Sequence, residues 1–267
     1  IKGPVRLLTS GKSNSLAASM EILSYLRQQG RKGEIIHGQP GYIAERISIL
    51  AKVSSARKAL DGLNLGIIGQ PSDWLISSNA DKEAVKSKLG INLKEIDIEE
   101  LVNEIKNSET APTDDRTLSL CASVPEGIRK YMDGALAIYS ALKNLIRRHQ
   151  LSGLTLRCFD LLTAVGNTGC LALALLNEEG IPAGCEGDVP ALLSMTIGNA
   201  LTGQCGFQAN PSRIDPQTGE FLFAHCTVPF NMVERYSFNT HFESGIGVAL
   251  HGDMPVGDAT IFKVSGD

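Results

Sequence analysis

The first third of the chain alternates between two spacings of apolar residues. Short apolar runs that suit strands are each followed by segments with apolar residues three or four positions apart, which is the spacing of a helix face. Alternating strands and helices form a parallel sheet with helices on both faces, so we expect a Rossmann-like or flavodoxin-like α/β domain. The predicted strands are 5–9, 34–37, 65–69 and 93–96, and the predicted helices are 16–30, 44–60, 81–89 and 97–106.

A polar segment without periodicity, 107–115, interrupts this pattern. We place a domain boundary there, which divides the chain into a Rossmann-like domain, 1–112, and a second α/β domain, 113–267. The second domain is expected to end in an antiparallel, β-rich part, because turn residues separate strand-like runs from Gly203 onward. Its predicted elements are helices at 125–149 and 170–176, strands at 154–160 and 180–183, a hairpin of 205–210 and 219–226, and strands at 246–250 and 260–264.

Composition and charge exclude several classes of function. The net charge is −4, whereas a nucleic-acid-binding surface needs a clustered basic excess. No apolar run reaches the length of a membrane span and no secretory leader is visible at the start, so we expect a cytoplasmic protein that binds no membrane. Because the chain begins with Ile1 rather than Met, on an incipient strand, we also expect it to be a piece of a longer protein.

The cysteines give no sign of a disulfide framework. Six are scattered without a CxxC pair, and most have apolar neighbours. We therefore expect reduced thiols in the core rather than disulfides or a zinc site.

Two early loops follow predicted strands and so face the edge where such folds bind ligands. The turn SGKSNS at 10–15 lacks the earlier glycine of a nucleotide-binding phosphate loop. It is either a helix N-terminus that binds a sugar hydroxyl or anion, with Ser13 and Asn14 as contacts, or a plain structural turn. Trp74, the only tryptophan, follows the third strand and is either core filler or a platform for stacking a sugar.

A cluster of acidic residues is predicted at the carboxyl edge of the second sheet. Glu186 and Asp188 follow one strand, and Asp160 ends the preceding strand. Three converging carboxylates suit a hard cation such as Mn²⁺ or Mg²⁺. Asp188 has an alternative role as the N-cap of the next helix. His225 ends a strand with apolar neighbours; such a histidine is more often a satisfied core residue, but nearby carboxylates make it a candidate metal ligand.

Four stretches resemble the L-fucose isomerase and L-arabinose isomerase superfamily. They are CEGD at 185–188 with the apolar helix after it, LFAHCTVP at 222–229, TSGKSNSLAA at 9–18 and LRCFD at 156–160. The resemblance implies an open α/β domain followed by a mixed, β-rich domain, with a further N-terminal domain and a longer C-terminal tail. It also implies a homo-oligomer with active sites near subunit contacts, and Mn²⁺-assisted conversion of an aldose to a ketose.

The resemblance also implies roles for particular residues. Asp160 matches a carboxylate near the sugar, where the usual residue is Glu; Glu186 or Asp188 matches a carboxylate metal ligand, and His225 matches a histidine ligand. Two departures stand out. Where the arabinose branch has a catalytic Glu, this chain has Gln208-Ala209-Asn210, and the family's further histidine has no clear match.

The resulting hypothesis is a metal-dependent aldose–ketose isomerase that works through an enediol. The predicted catalytic residues are Asp160, as the base, and Asp188. The predicted metal ligands are Asp160, Glu186, Asp188 and His225, and the predicted substrate contacts are Ser13, Asn14, Trp74 and Asn210. The alternatives are a catalytically silent sugar-binding or assembly protein on the same scaffold, and a nucleotide-dependent enzyme that uses the 10–15 turn.

Overall fold

The structure is a computed structural model that describes residues 3–107 and 115–265. The chain divides into two compact units, Ile1–Ala56 and Arg57–Asp267. The boundary predicted between 112 and 113 lies outside the described residues and stays a prediction. None of the described helices combines the length and the apolar character needed to cross a membrane.

The first unit contains two β-α repeats. Its strands β1 and β2 form a parallel pair in which Val5 lies opposite Gly33. The predicted alternation of strand and helix is confirmed here. The elements are β1 (Val5–Leu8), α1 (Ser15–Gln28), β2 (Gly33–Ile36) and α2 (Pro40–Leu60), which ends in the second unit.

The second unit is built around a four-stranded parallel sheet with the order β4-β3-β5-β6. The strands are β3 (Asn64–Ile68), β4 (Asn92–Ile96), β5 (Gly153–Leu156) and β6 (Ala183–Cys185). The helices are α3 (Lys82–Leu89), α4 (Ile98–Asn107), α5 (Asp115–Ser123), α6 (Glu126–Arg129), α7 (Met132–His149), α8 (Asp160–Val165), α9 (Cys170–Glu178) and α10 (Val189–Thr202). The predicted α/β fold with a parallel sheet is thus confirmed.

Apolar side chains cover both faces of this sheet, because successive strand residues point to opposite sides. On one face, Ile68 and Leu156 pack with α4, α7 and α9. On the other, Leu65 and Ile67 pack with α3 and α10. Each of these four strand residues is at most 5% exposed, so the sheet forms a core that holds the ends of its strands in fixed positions.

The C-terminal part consists of antiparallel strand pairs, as predicted. The hairpin pairs β7 (Asn210–Asp215) with β8 (Glu220–Ala224), and β9 (Arg235–Asn239) pairs with β10 (Ala249–Asp253). A 3₁₀ turn, Phe230–Met232, lies between the two pairs.

Several predicted elements differ from the structure. Of the strand predicted at 205–210 only Asn210 belongs to β7, and of the strand predicted at 180–183 only Ala183 belongs to β6. The strand predicted at 260–264 is absent, because the Val264 N–H donates to the Ser194 hydroxyl of α10 instead of to a neighbouring strand. The strand predicted at 154–160 ends at Leu156, since the chain turns there and Asp160 begins α8. The helix predicted at 125–149 is divided into α6 and α7 by a turn at 130–131.

The turn after β6 requires glycine at one position. Gly187 has φ +68°, and a Cβ atom there would lie 2.8 Å from the Gln70 carbonyl oxygen and from Pro71 Cα. Residues other than glycine rarely adopt this backbone conformation. The atoms that the Cβ would meet belong to the backbone and cannot move aside as a flexible side chain does. The loop after β3 and the loop after β6 can therefore approach each other closely only because residue 187 has no side chain.

We expect Gly187→Ala to lower the free energy of unfolding by about 2–4 kcal/mol, through the left-handed backbone and the backbone clash. Urea denaturation measures the change. Gly198→Ala in α10 is the matched control, because nothing lies within 4 Å of its Cβ position, and it should be neutral or stabilising by up to about 1 kcal/mol. Equal losses in both variants would contradict the packing of this turn.

Candidate functional site

Three loops meet at the carboxyl edge of the sheet, after β3, β5 and β6. The Ser72 N–H donates to the Glu186 carbonyl over 2.9 Å, and the Gly187 N–H donates to the Leu156 carbonyl over 3.2 Å. The Arg157 N–H continues the β3–β5 ladder by donating to Ile68. Backbone hydrogen bonds therefore fix the loops that carry Trp74, Asp160 and Glu186.

Glu186 is the carboxylate with the most contacts among the predicted site residues. Its backbone is left-handed, with φ 65°, and its side chain is 14% exposed. Trp74 Nε1 and Asn210 Nδ2 each donate to its carboxylate over 3.4 Å, and His225 Nε2 lies 3.8 Å from Oε1. His225 lowers the pKa of Glu186 below its ordinary value of 4.5 against the opposing effect of burial, with help from Trp74 and Asn210. The group is therefore an anion at neutral pH.

His225 is buried, with its side chain 6% exposed, but it faces this carboxylate. Its other ring nitrogen, Nδ1, lies 2.9 Å from the Thr227 hydroxyl. When Thr227 donates this hydrogen bond, Nε2 carries the ring proton and points it at Glu186. When Nδ1–H instead donates to the Thr227 oxygen, Nε2 is unprotonated, which is the form that a metal ligand requires. The structural and the metal-binding roles of His225 therefore use different tautomers of the ring.

Asp188 caps the helix α10. Its Oδ1 accepts a 2.8 Å hydrogen bond from the Ala191 N–H, and Pro190 occupies the first turn. The capping interpretation is therefore confirmed. The other oxygen, Oδ2, lies 3.9 Å from Lys263 Nζ. The metal-binding and catalytic roles of Asp188 stay predictions, and Oδ2 is the oxygen that does not cap the helix.

Asp160 lies in an ion-pair network that the sequence analysis did not find. The Arg157 guanidinium donates to Asp160 Oδ1 over 3.1 Å, to both Asp73 carboxylate oxygens over 3.2–3.3 Å, and to the Pro71 carbonyl. Asp160 is 35% exposed, so it is accessible to a small molecule and balanced by a cation. The sequence feature that could have indicated this ion pair is the separation of three residues between Arg157 and Asp160, which allows their side chains to meet.

The four predicted metal ligands are only partly brought together. Among the described residues, no three of Asp160, Glu186, Asp188 and His225 place their ligand atoms within 4.8 Å of one another. Glu186 and His225 form the pair that does meet. The complete set of four ligands stays a prediction. Glu186 and His225 are the two members of it that contact each other in the structure.

The predicted sugar contacts have different settings. Trp74 is 54% exposed and packs edge-on against Phe159, with ring centroids 5.3 Å apart, so it is not core filler. Asn210 begins β7 and donates to Glu186. Ser13 and Asn14, in the other compact unit, are exposed and left-handed, with φ 52° and 54°. They form the predicted tight turn before α1, and their contact with substrate stays a prediction.

The Gln208 amide is attached to the sheet. Its Oε1 accepts from the Cys185 N–H over 2.8 Å, and its Nε2 donates to the Cys185 carbonyl over 3.5 Å. This pair of bonds continues the edge of β6 in the way that a neighbouring strand does. Gln208 therefore has a structural role.

Comparison with known proteins points to sugar chemistry. No protein-family model matches the chain. Sulfoquinovose isomerase of Priestia megaterium is 26% identical over 267 residues, and that of Alkalicoccus urumqiensis is 24% identical over 275 residues. Each alignment covers 94% of this chain and 59% of the relative, so the chain spans about three fifths of the curated relatives' length. The chain is thus similar to sugar isomerases.

The contact between Glu186 and His225 should appear in the pH dependence of stability. Because the pKa of Glu186 is lowered in the folded protein, its stabilising effect is present above pH 4.5 and is lost as the pH falls through the lowered value. In chelator-treated protein, Glu186→Gln should be about 1–2 kcal/mol less stable at pH 7, with the gap to wild type closing in acid. Urea denaturation from neutral to acid pH measures the gap. Glu220→Gln, an exposed control, should show none, and a pH-independent gap would contradict the assignment.

The capping role of Asp188 predicts a difference between two substitutions. Asp188→Ala should lower the free energy of unfolding by about 0.5–2 kcal/mol, whereas Asp188→Asn, which can accept the same hydrogen bond, should keep most of the stability. Thermal and urea unfolding compare them. If Asn were as destabilising as Ala, the negative charge rather than the cap would be what Asp188 contributes.

Proposed function

We propose that this chain is part of an aldose–ketose isomerase of the fucose/arabinose type, which acts on a monosaccharide through an enediol. The observation that carries the proposal is the ionised carboxylate of Glu186 facing His225 at the carboxyl edge of the sheet. The similarity to sulfoquinovose isomerases supports it independently. A sugar substrate, a homo-oligomer with sites near subunit contacts and a cytoplasmic location belong to the same proposal.

The metal is proposed to lie between Glu186 and His225. Two ligands that are each about 2.1 Å from one ion are at most about 4.2 Å apart, so the separation of 3.8 Å between Oε1 and Nε2 fits a shared ion. A carboxylate oxygen and an imidazole nitrogen both suit Mn²⁺. When bound, Mn²⁺ or Mg²⁺ would polarise the carbonyl of an open-chain sugar.

Proton transfer is proposed for Asp160. An aldose becomes a ketose when a base removes the proton from the carbon next to the carbonyl and the conjugate acid returns it to the former carbonyl carbon, while the hydroxyl proton passes from the second oxygen to the former carbonyl oxygen. Arg157 donates to one oxygen of Asp160, while the exposure of 35% leaves the carboxylate accessible. Asp188 supports the loop by capping α10.

Recognition of the sugar is proposed for side chains around Glu186. The half-exposed indole of Trp74 offers an apolar face for a sugar ring. The Asn210 amide, already donating to Glu186, is positioned for a hydroxyl group.

A second candidate is a catalytically silent sugar-binding protein on the same scaffold. It is favoured by Gln208, whose amide cannot act as a base and is fully engaged with Cys185. Such a protein would bind a sugar next to Glu186 without moving a proton.

Solvent exchange distinguishes the two candidates. The full-length protein with Mn²⁺ is incubated in D₂O with a panel of aldoses that includes sulfoquinovose, and ketose formation and deuterium incorporation are followed by NMR. The isomerase proposal predicts a ketose with deuterium from solvent, because the enediol exchanges its proton. Saturable sugar binding without ketose formation would support the silent protein. If the protein neither formed a ketose nor bound a sugar, both proposals would be contradicted.

Substitution of Glu186 tests its place in the isomerase. Glu186→Gln should lower kcat/KM by at least about a hundredfold, because the charge that faces His225 is lost. Glu95→Gln, on an exposed carboxylate that pairs with Lys82, is the control and should keep full activity. Activity within a few-fold of wild type for Glu186→Gln would rule out this role.

A further inference from the structure

A second group of potential metal ligands lies in the interior of the second unit. The sulfur atoms of Cys170 and Cys226 and a ring nitrogen of His241 lie within 4.8 Å of one another. The three residues are 0%, 8% and 5% exposed. Among the described residues this is the one group of three such side chains at that spacing, and none of its members belongs to the proposed isomerase site.

The three side chains come from separate, well-anchored parts of the fold. Cys170 is the first residue of α9, and Cys226 follows β8. His241 follows β9 in a loop closed by two backbone hydrogen bonds, from Gly245 to His241 over 2.8 Å and from His241 to Ile246 over 3.0 Å. The positions of the ligand atoms are therefore set by elements that do not depend on a bound ion.

The donor chemistry favours a soft ion over Mn²⁺ or Mg²⁺. The two sulfur atoms are 3.2 Å apart, and sulfurs bound about 2.3 Å from a tetrahedral ion lie about 3.8 Å apart, so a small opening suffices. His241 Nδ1 lies 3.1 Å from the Ser244 hydroxyl and accepts from the Ser244 N–H over 3.4 Å. Metal binding through Nε2 therefore needs the other tautomer, in which Nδ1–H donates to the Ser244 hydroxyl. Metal-binding histidines commonly use their second nitrogen in this way, and thiolates with imidazole select zinc.

A buried hydroxyl lies beside the same thiols. Thr168 Oγ1 is buried and makes no hydrogen bond of ordinary geometry among the described residues, but its interaction with the Cys170 thiol acts to lower the pKa of that thiol. An unpaired buried hydroxyl is costly. The hydroxyl itself would complete a four-ligand set of two sulfurs, one nitrogen and one oxygen.

We propose that Cys170, Cys226 and His241 bind one zinc-like divalent ion with a structural role. A divalent ion displaces both thiol protons and makes a neutral unit with two thiolates, which an apolar interior tolerates. The ion would connect α9 with the segments after β8 and β9. This proposal does not depend on the isomerase function.

Cobalt titration tests the proposal. Reduced, chelator-treated protein is titrated with Co²⁺, which reports tetrahedral thiolate coordination by intense visible bands and a near-ultraviolet charge-transfer band. We expect about one ion per chain, displaced by an equivalent of Zn²⁺.

The bands should be lost in Cys170→Ser and His241→Gln but kept in Glu186→Gln. Cys205→Ser is the matched control, since Cys205 is another buried thiol, with its pKa raised to about 11 by burial. Absence of the bands in wild type, or their persistence in Cys170→Ser, would overturn the proposal.

X-ray absorption on wild-type protein with one equivalent of zinc gives a test without substitutions. We expect two sulfur ligands at about 2.3 Å and two nitrogen or oxygen ligands at about 2.0–2.1 Å. A shell of only nitrogen and oxygen would place the zinc elsewhere and refute the site. This result holds even if a cysteine variant fails to fold.

Discussion

The parallel register of β3, β5 and β6 is the constraint on which the candidate site depends. Ile68 pairs with Leu156, and Leu156 pairs with Cys185, so three strands end at the same level and three loops leave from one edge. Because helices cover both sheet faces, a shift of one residue would move each side chain into the packing of the opposite face, and the core therefore fixes the register. Glu186 follows Cys185 directly, so this strand pairing fixes the position of its backbone.

Much of this fold could be predicted from the sequence, but strand pairing could not. Strands β3, β5 and β6 read as short apolar runs because parallel strands are buried on both faces. The pairing of β3 with β5 joins segments more than eighty residues apart, and periodicity records only local neighbours. Local signals also failed where a side chain replaced a strand as hydrogen-bond partner, as Ser194 does for Val264.

The types of residue at the site could be predicted from the sequence, but only some of the contacts between them could. Asp188 was ambiguous because capping and metal binding both require a short carboxylate, and only the contact with Ala191 identifies the cap. Arg157 was missed because it lies within an apparent strand. The cluster of Cys170, Cys226 and His241 was missed because its members are far apart in the chain, without the short spacing by which zinc sites are recognised.

We propose that Glu186 and His225 share a divalent ion at the edge of the sheet. Anomalous diffraction from crystals of the full-length protein grown with Mn²⁺ tests this most directly. We expect an anomalous peak within bonding distance of both Glu186 and His225. A manganese peak at other residues, or a fully ordered Glu186–His225 pair with no peak between its members, would contradict it.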